Sequence, residues 1–471
     1  MSSASCLILT TAAAVASAAP VATQRHTCPN GLEVVVSEMH ATPLVTVEIA
    51  VHAGAMIEDD KYNGVSHLYE HMFFKGNAVQ PDQVAYLARL RELGAEFNGT
   101  TGDERVNYFF ITTSDHFKDQ MAFMRDAIAT PRFDPKELER ERVVVTGEMD
   151  RDESQPSFAL GHAIEQKMFW KYPTRKWAIG KRSSVLAATV DMMRTIQQRY
   201  YVPNNSVLVV TGDVNADAVF AMADTLYAGW ARAADPFVRF PVPANPPLAR
   251  TEVVLLAQPV ENFTGAFVWH APSTLGPAAA DTYAANVLSV MTNEAGSRFQ
   301  KTLVDSGQCV SASPWFYRQR TTSELVVDFE ALPDKVDGCT AAVVAVLPTL
   351  RDAGYFTDEE LANAVHRIVV ARALERETTS GRAHALTEAW ATASLEIDAR
   401  YEGAVAAVGR PALAGMLDRW VLGKPFVFGA MASPKQLSAG LTEARLAKLV
   451  GAPASPPAPA APATAKAQGA K

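Results

Sequence analysis

Two stretches of the chain repeat one hydrophobic pattern. LEVVVSEMHATPLVTVEIAVHAG, at 32–54, and TEVVLLAQPVENFTGAFVWHAPS, at 251–273, each give an apolar strand, a short polar break and an alternating strand ending in His-Ala. The period of two predicts β-strands. Between the copies, ARAADPFVRFPVPANPPLAR at 231–250 holds five prolines and divides the chain into halves of similar size. One internal duplication explains the pattern. The expected organisation is a first unit at 25–230, a linker at 231–250 and a related unit at 251–450.

A different period appears at 66–74, SHLYEHMFF. At about 100° per residue, His67, Glu70 and His71 share one helical face, and Val65, Leu68, Tyr69, Met72 and Phe73 fall on the other. Asn63 is the expected N-cap. A second helix is predicted from DPKELERERVVVTGEMDRDESQP at 134–156, where Asp134 caps, Pro135 takes the first helical position and Glu137 follows as in a capping box. Glu141 and Glu148, seven apart, return to nearly the same azimuth. The helical stretches 282–291 and 359–375 read as packing and scaffold.

Composition narrows the picture. With 471 residues, 48% hydrophobic and 20% charged, the chain can bury more than one core. A net charge of −8 without a basic run gives no support for nucleic acid as a partner. Residues 1–19, MSSASCLILTTAAAVASAA, carry a short apolar region and a cleavage-type Ala16-Ser17-Ala18, although no Lys or Arg precedes Arg25. Residues 1–24 are therefore expected to be a signal peptide and the chain exported, periplasmic or secreted; a cytoplasmic chain with a disordered leader is the alternative. No other run approaches membrane-spanning length. Residues 451–471 form a Pro/Ala tail without aromatics. Cys28, Cys309 and Cys339 remain after the leader, and a Cys309–Cys339 bridge fits an oxidising compartment.

Two imidazoles at i and i+4 can reach one zinc ion, and Glu70, beside them, is placed to act as a base. The order H-x-x-E-H is that of the inverzincins. A core helix carrying two histidines is the alternative, and a third ligand decides between them. Glu141 and Glu148, taken alone, also read as two solvated carboxylates.

The pairing of H-x-x-E-H with a later E-x6-E resembles the pitrilysin/insulysin family of zinc endopeptidases, which includes the mitochondrial processing peptidase and two-subunit bacterial peptidases. NGLEVVVSEM at 30–39, GAEFNGTTGDERVNYFF at 94–110 and RYYVPNNSVLVVTGDVN at 199–215 are similar to family landmarks in the family's order. The resemblance implies one Zn2+ per chain held by His67, His71 and Glu148, with Glu70 activating water and Glu141 supporting the site. It implies an α+β fold: two homologous domains, each a mostly antiparallel sheet covered by helices, forming a clam-shell chamber. DTYAAN at 281–286 stands where the first half has its metal motif, so the second half is expected to be a non-catalytic copy. His52 and His270, at equivalent strand ends, are expected to share a structural role.

Peptide substrates are expected to add to a strand edge near FNGTT at 97–101, with Asn98 as the side-chain contact; Gly99 stands where the family often has Ala. Self-sufficient members carry an Arg/Tyr pair after an S-R-L segment. Here Ser297-Arg298-Phe299 is kept, but Val304 and Val310 or Ser311 occupy the pair's places. The chain is accordingly expected to be the catalytic half of a heterodimer whose related subunit supplies Arg and Tyr. Arg318 or Arg320 as substitutes, and a homodimer, are the alternatives. The competing function is a non-catalytic scaffold or assembly subunit of the same fold; the intact motif residues argue against it.

Overall fold

The computed structural model describes residues 22–452. The strand patterns fold into two sheets, one per half. The first contains β1 (Thr23–Thr27), β2 (Glu33–Glu38), β3 (Leu44–Val51), β4 (Glu96–Thr101), β5 (Val106–Thr113) and β6 (Ser206–Gly212), in the order β1-β2-β6-β3-β5-β4. The second contains β7 (Glu252–Ala257), β8 (Phe263–Ala271), β9 (Ser311–Tyr317), β10 (Ser323–Ala331) and β11 (Val427–Ala432), in the order β7-β11-β8-β10-β9. Without β1 the two orders coincide. In each, the first pair is parallel and the others antiparallel. The α+β duplication is thus written in the topology as well as in the hydrophobic pattern.

The leader and the tail lie outside the described residues, with small exceptions at their inner ends. Thr23 and Gln24, placed by the sequence in the leader, already belong to β1 and pair with Ser37 and Val36. The proline-rich linker carries one short helix, Pro236–Arg239, capped by Asp235. No helix among the described residues is long and apolar enough to cross a membrane. Cys309 and Cys339 form a disulfide, and Cys28 is free and buried.

Four helices position the motif residues and join the halves: α1 (Val65–Phe73), α2 (Pro135–Glu153), α3 (Pro156–Met168) and α4 (Thr379–Thr392). The first two stay within their own half, α1 packing on β4 and α2 packing on α1. The other two cross between the halves. Leu160, Ile164 and Met168 of α3, from the first half, bury against Val254, Ala266, Val268, Val326 and Val427 of the second sheet. Conversely, Ala383, Leu386 and Ala389 of α4, from the second half, cover Val35, Ala50, Val207 and Val209 of the first sheet.

The exchange explains β6, SVLVVTG, which is buried at every position. A sheet covered on both faces needs apolar residues on both, and the run loses its alternation. It also explains Glu48, fully buried in β3: Asn107 donates to it at 2.8 Å, and Thr387 Oγ1 of α4 donates at 2.6 Å. His52 and His270 meet the two exchanged helices. The His52 ring stacks on Trp390 of α4 at 3.7 Å, and His270 Nε2–H donates to the carbonyl of Met168 in α3 at 3.0 Å.

Candidate metal centre

The apolar face of α1 locks it into the first core: Val65, Leu68, Tyr69, Met72 and Phe73 are all fully buried. Its start differs from the expectation. Gly64, in the left-handed region at φ 88°, is the N-cap, and Asn63 is not. The amide of Asn63 donates instead to Glu58 and to the carbonyls of Thr174 and Trp177. The helix amides are satisfied from a distance: Gly64 N–H and Ser66 N–H both donate to the Glu58 carboxylate at 2.7 Å. A carboxylate at a helix N-terminus also meets the positive end of the helix dipole. The acidic run Glu58-Asp59-Asp60 before the helix was the available signal for this cap.

α2 begins as its sequence predicts, with Asp134 accepting from Lys136 N–H at 2.7 Å and Glu137 N–H at 3.3 Å. Glu137 pairs with Arg140 rather than closing a capping box. The helix then runs beside α1 and presents Glu141 and Glu148 to it.

The two helices bring the H-x-x-E-H and E-x6-E residues together. Glu148 Oε2 lies 3.6 Å from His67 Nε2 and 3.6 Å from His71 Nε2, and the imidazole rings stand nearly perpendicular, 4.8 Å apart. These three residues form a cluster whose ligand-type atoms all lie within 4.8 Å of one another. A separation of 3.6 Å is too long for a hydrogen bond. It is close to the roughly 3.4 Å between ligand atoms of a tetrahedral ion with bonds of about 2.0–2.1 Å. The donor set, two imidazole nitrogens and one carboxylate oxygen, therefore fits zinc.

Glu141 is set back. His71 Nδ1–H donates to its Oε2 at 2.9 Å, which leaves Nε2 as the free lone pair facing Glu148. Lys75, in the turn just past the end of α1, holds the other oxygen at 2.7 Å. Burial pushes the Glu141 carboxyl up, but the hydrogen bonds from His71 and Lys75 prevail and hold it below the usual carboxylate range. The two imidazoles shift in opposite directions. Burial takes His67 down to about 4, with His71 adding to the effect. Burial acts the same way on His71, but Glu141, Glu148 and Glu70 outweigh it and raise it.

Glu70 is raised by burial, partly offset by a hydrogen bond from Thr101 Oγ1 to its Oε2 at 2.8 Å. Its Oε1 lies 3.2 Å from where a β-carbon on Gly99 would stand. Gly99 and Thr101 belong to β4, the last strand of the sheet, whose outer edge has no strand beside it among the described residues. Asn98, also on β4, accepts Gly99 N–H at 2.9 Å and lines the same cleft of about 560 Å³. Every lining residue lies between His67 and Ile179.

Lys75 and Thr101 were missed by sequence reasoning. Lys75 was accessible, four residues after His71 in the turn that follows the motif helix. Thr101 was not, because only the register of β4 against α1 brings it to Glu70. In the second half, the helix Asp281–Asn293 occupies the place of α1, and Asp281 is held there by Arg419 and Trp420. Among the described residues no metal-type cluster lies in that half.

Residues 33–179 match the insulinase family (peptidase family M16), and residues 187–368 match the peptidase M16 inactive domain. The chain belongs to peptidase family M16. Among curated M16 relatives, the mitochondrial-processing peptidase subunit beta of Lentinula edodes is 26% identical over 224 residues, 48% of this chain and 46% of that one. The uncharacterized zinc protease YmxG of Bacillus subtilis is 24% identical over 192 residues, 41% and 47% of the two chains. These matches span less than half the length of the curated relatives. Among solved structures, a protease from Helicobacter pylori superposes with a TM-score of 0.79 at 18% identity, over 88% of this chain and all of that one. The periplasmic protease PqqL from Escherichia coli gives 0.74 at 17% identity, over 91% of this chain and 50% of its own. At those identities the structural likeness establishes the M16 fold.

Proposed function

We propose that the chain is a zinc endopeptidase and the catalytic subunit of a two-chain peptidase, with one Zn2+ held by His67, His71 and Glu148. The convergence of His67 Nε2, His71 Nε2 and Glu148 Oε2 at zinc-like spacing, with a buried carboxyl beside them, carries this reading. Bound zinc supplies Lewis acidity, which makes a water acidic near neutral pH and polarises an amide carbonyl. Glu70 is the base: Oε2 is occupied by Thr101, so Oε1 takes the water proton and returns it to the leaving amine. Glu141 orients His71 and is not itself a ligand.

The free edge of β4 supports substrate binding by strand addition, which draws affinity from backbone hydrogen bonds rather than from a set sequence, with Asn98 as a side-chain contact. The matched relatives named as subunit beta support a role within an assembly. So does the composition of the cleft, which takes no wall from the second half. Val304, packed against the second core, and the partly exposed Val310 offer neither a cation nor a phenol. A related subunit would supply the missing Arg and Tyr. The disulfide between Cys309 and Cys339 supports export to an oxidising compartment.

The test is metal content and hydrolysis of a mixed fluorogenic peptide library by the purified chain, with chelator controls. Glu148→Gln loses one zinc per chain; Glu70→Gln keeps it and abolishes chelator-sensitive cleavage. Zinc retained by Glu148→Gln, or normal turnover by Glu70→Gln, overturns the assignment. Full activity of the chain alone removes the partner from the proposal.

A further inference from the structure

A second set of metal-type ligands lies at the opposite edge of the first sheet. β1 is that edge, and β4, with the cleft, is the other. His26 is in β1 and Cys28 comes two residues later, the spacing that places alternate side chains of an extended segment on one side. Asp224 comes to them from the helix Ala216–Leu226. The ligand-type atoms of the three all lie within 4.8 Å of one another. Outside the catalytic cleft this is the one such cluster among the described residues.

The details fit a site better than they fit a stray contact. His26 Nε2 lies 2.9 Å from Asp224 Oδ1, and the Cys28 sulfur lies within 4.8 Å of both. Cys28 is only 4% exposed, whereas the His26 and Asp224 side chains are 32% and 38% exposed. The sulfur thus forms a fixed floor, the nitrogen and oxygen can move, and solvent reaches the fourth position. Phe220 covers one side of the imidazole, with ring centroids 5.3 Å apart. Without an ion, His26 directs its Nε2 proton to Asp224.

We propose that His26, Cys28 and Asp224 bind a second divalent cation of the zinc class, with water completing the tetrahedron. Thiolate, imidazole and carboxylate are all zinc ligands, and a sulfur donor selects against magnesium and calcium. The cation displaces one proton from Cys28 to solvent, the single N–H of His26 shifts from Nε2 to Nδ1 so that Nε2 can ligate, and the thiolate and carboxylate together neutralise the dication. Separating His26 Nε2 and Asp224 Oδ1 from 2.9 Å to about 3.4 Å requires only rotation of two half-exposed side chains. The ion would fasten β1, a five-residue strand paired with β2 alone, to the body of the domain.

Cobalt distinguishes the two sites, because only this one contains sulfur. Cys309 and Cys339 are bonded to each other, and Cys6, which lies outside the described residues, is replaced by Ser in every sample. Titration of the full chain with Co2+ is expected to give a near-ultraviolet thiolate-to-cobalt charge-transfer band whose final amplitude is that of one thiolate-bound ion per chain, with one proton released from that site. Glu148→Gln, which removes the cleft site, is expected to keep the band. Cys28→Ser abolishes it, and Asp224→Asn weakens it at least tenfold in cobalt affinity. A cobalt-saturated chain without the band, or a band that persists in Cys28→Ser, overturns the proposal. The wild-type spectrum decides even where a variant fails to fold, and none of these readouts depends on peptide hydrolysis.

Discussion

Glu70 is positioned by two neighbours on β4, a hydroxyl that holds one oxygen and a glycine that leaves room for the other. A β-carbon at Gly99 would stand 3.0 Å from Glu70 Cγ and 3.2 Å from Oε1. Alanine there forces the carboxyl to move while leaving His67, His71 and Glu148 untouched. The shift required is a few tenths of an ångström, well short of the roughly 1 Å misplacement that costs about a hundredfold in rate. Gly99→Ala is expected to retain one zinc in the cleft and to lower kcat/KM by a factor between about two and ten, read by peptide hydrolysis beside metal analysis. Glu141 acts one step further out: Glu141→Gln weakens its hold on His71 Nδ1 and is expected to reduce zinc affinity about tenfold or more, measured by competition with a chelator.

At the scale of the element, α1 depends on a residue outside it. Glu58 is fully buried, and burial raises its carboxyl to about 8 against the pull of the Ser66 and Gly64 amides. Removing it leaves the Gly64 and Ser66 amides without their acceptor in a dry site, while the Asn63 side chain keeps the carbonyls of Thr174 and Trp177. Glu58→Ala is expected to cost about 2–4 kcal/mol in urea unfolding, more than a surface cap would, since buried donors lose their partner without gaining water. Because both histidines ride on α1, the same variant should also bind zinc more weakly, which a change confined to the surface would not do.

At the scale of the molecule, the halves meet through a buried ionic cluster as well as through α3 and α4. Asp103 and Glu104 come from the turn between β4 and β5, Glu165 from α3 and Glu324 from β10, with Lys176 as the cation among them. Arg320 N–H and Thr321, of the second half, donate to Glu104. Burial first, then Glu324 and Asp103, raise Glu165 to about 9; burial, opposed by Lys176, raises Glu324 to about 7. Both ionise near 4.5 when unfolded. Between that value and about 9 the folded chain therefore holds protons that the unfolded chain has released, so rising pH favours unfolding. The stabilisation is complete below about 4.5, declines as pH rises, and is gone above about 9. Denaturant midpoints of the metal-free chain are expected to fall from about pH 5 to 9, and Glu165→Gln to flatten that slope.

The candidate metal motif was legible in the sequence because it is local. His67, Glu70 and His71 need only helical geometry to share a face, and Glu141 and Glu148 likewise. The duplication was legible because hydrophobic alternation follows from which strand face is buried, and both halves kept it. What sequence could not decide depends on contacts between residues far apart in the chain. Asn63 looked like a cap because its type suits one, yet Glu58 lay close enough to take the helix amides first. Thr101 reaches Glu70 only through strand register. The division into two units at the linker follows composition, but α3 and α4 each bury their apolar faces on the other half's sheet. A helix's periodicity fixes which face must be covered; the sheet that covers it is chosen by the packing of the whole chain.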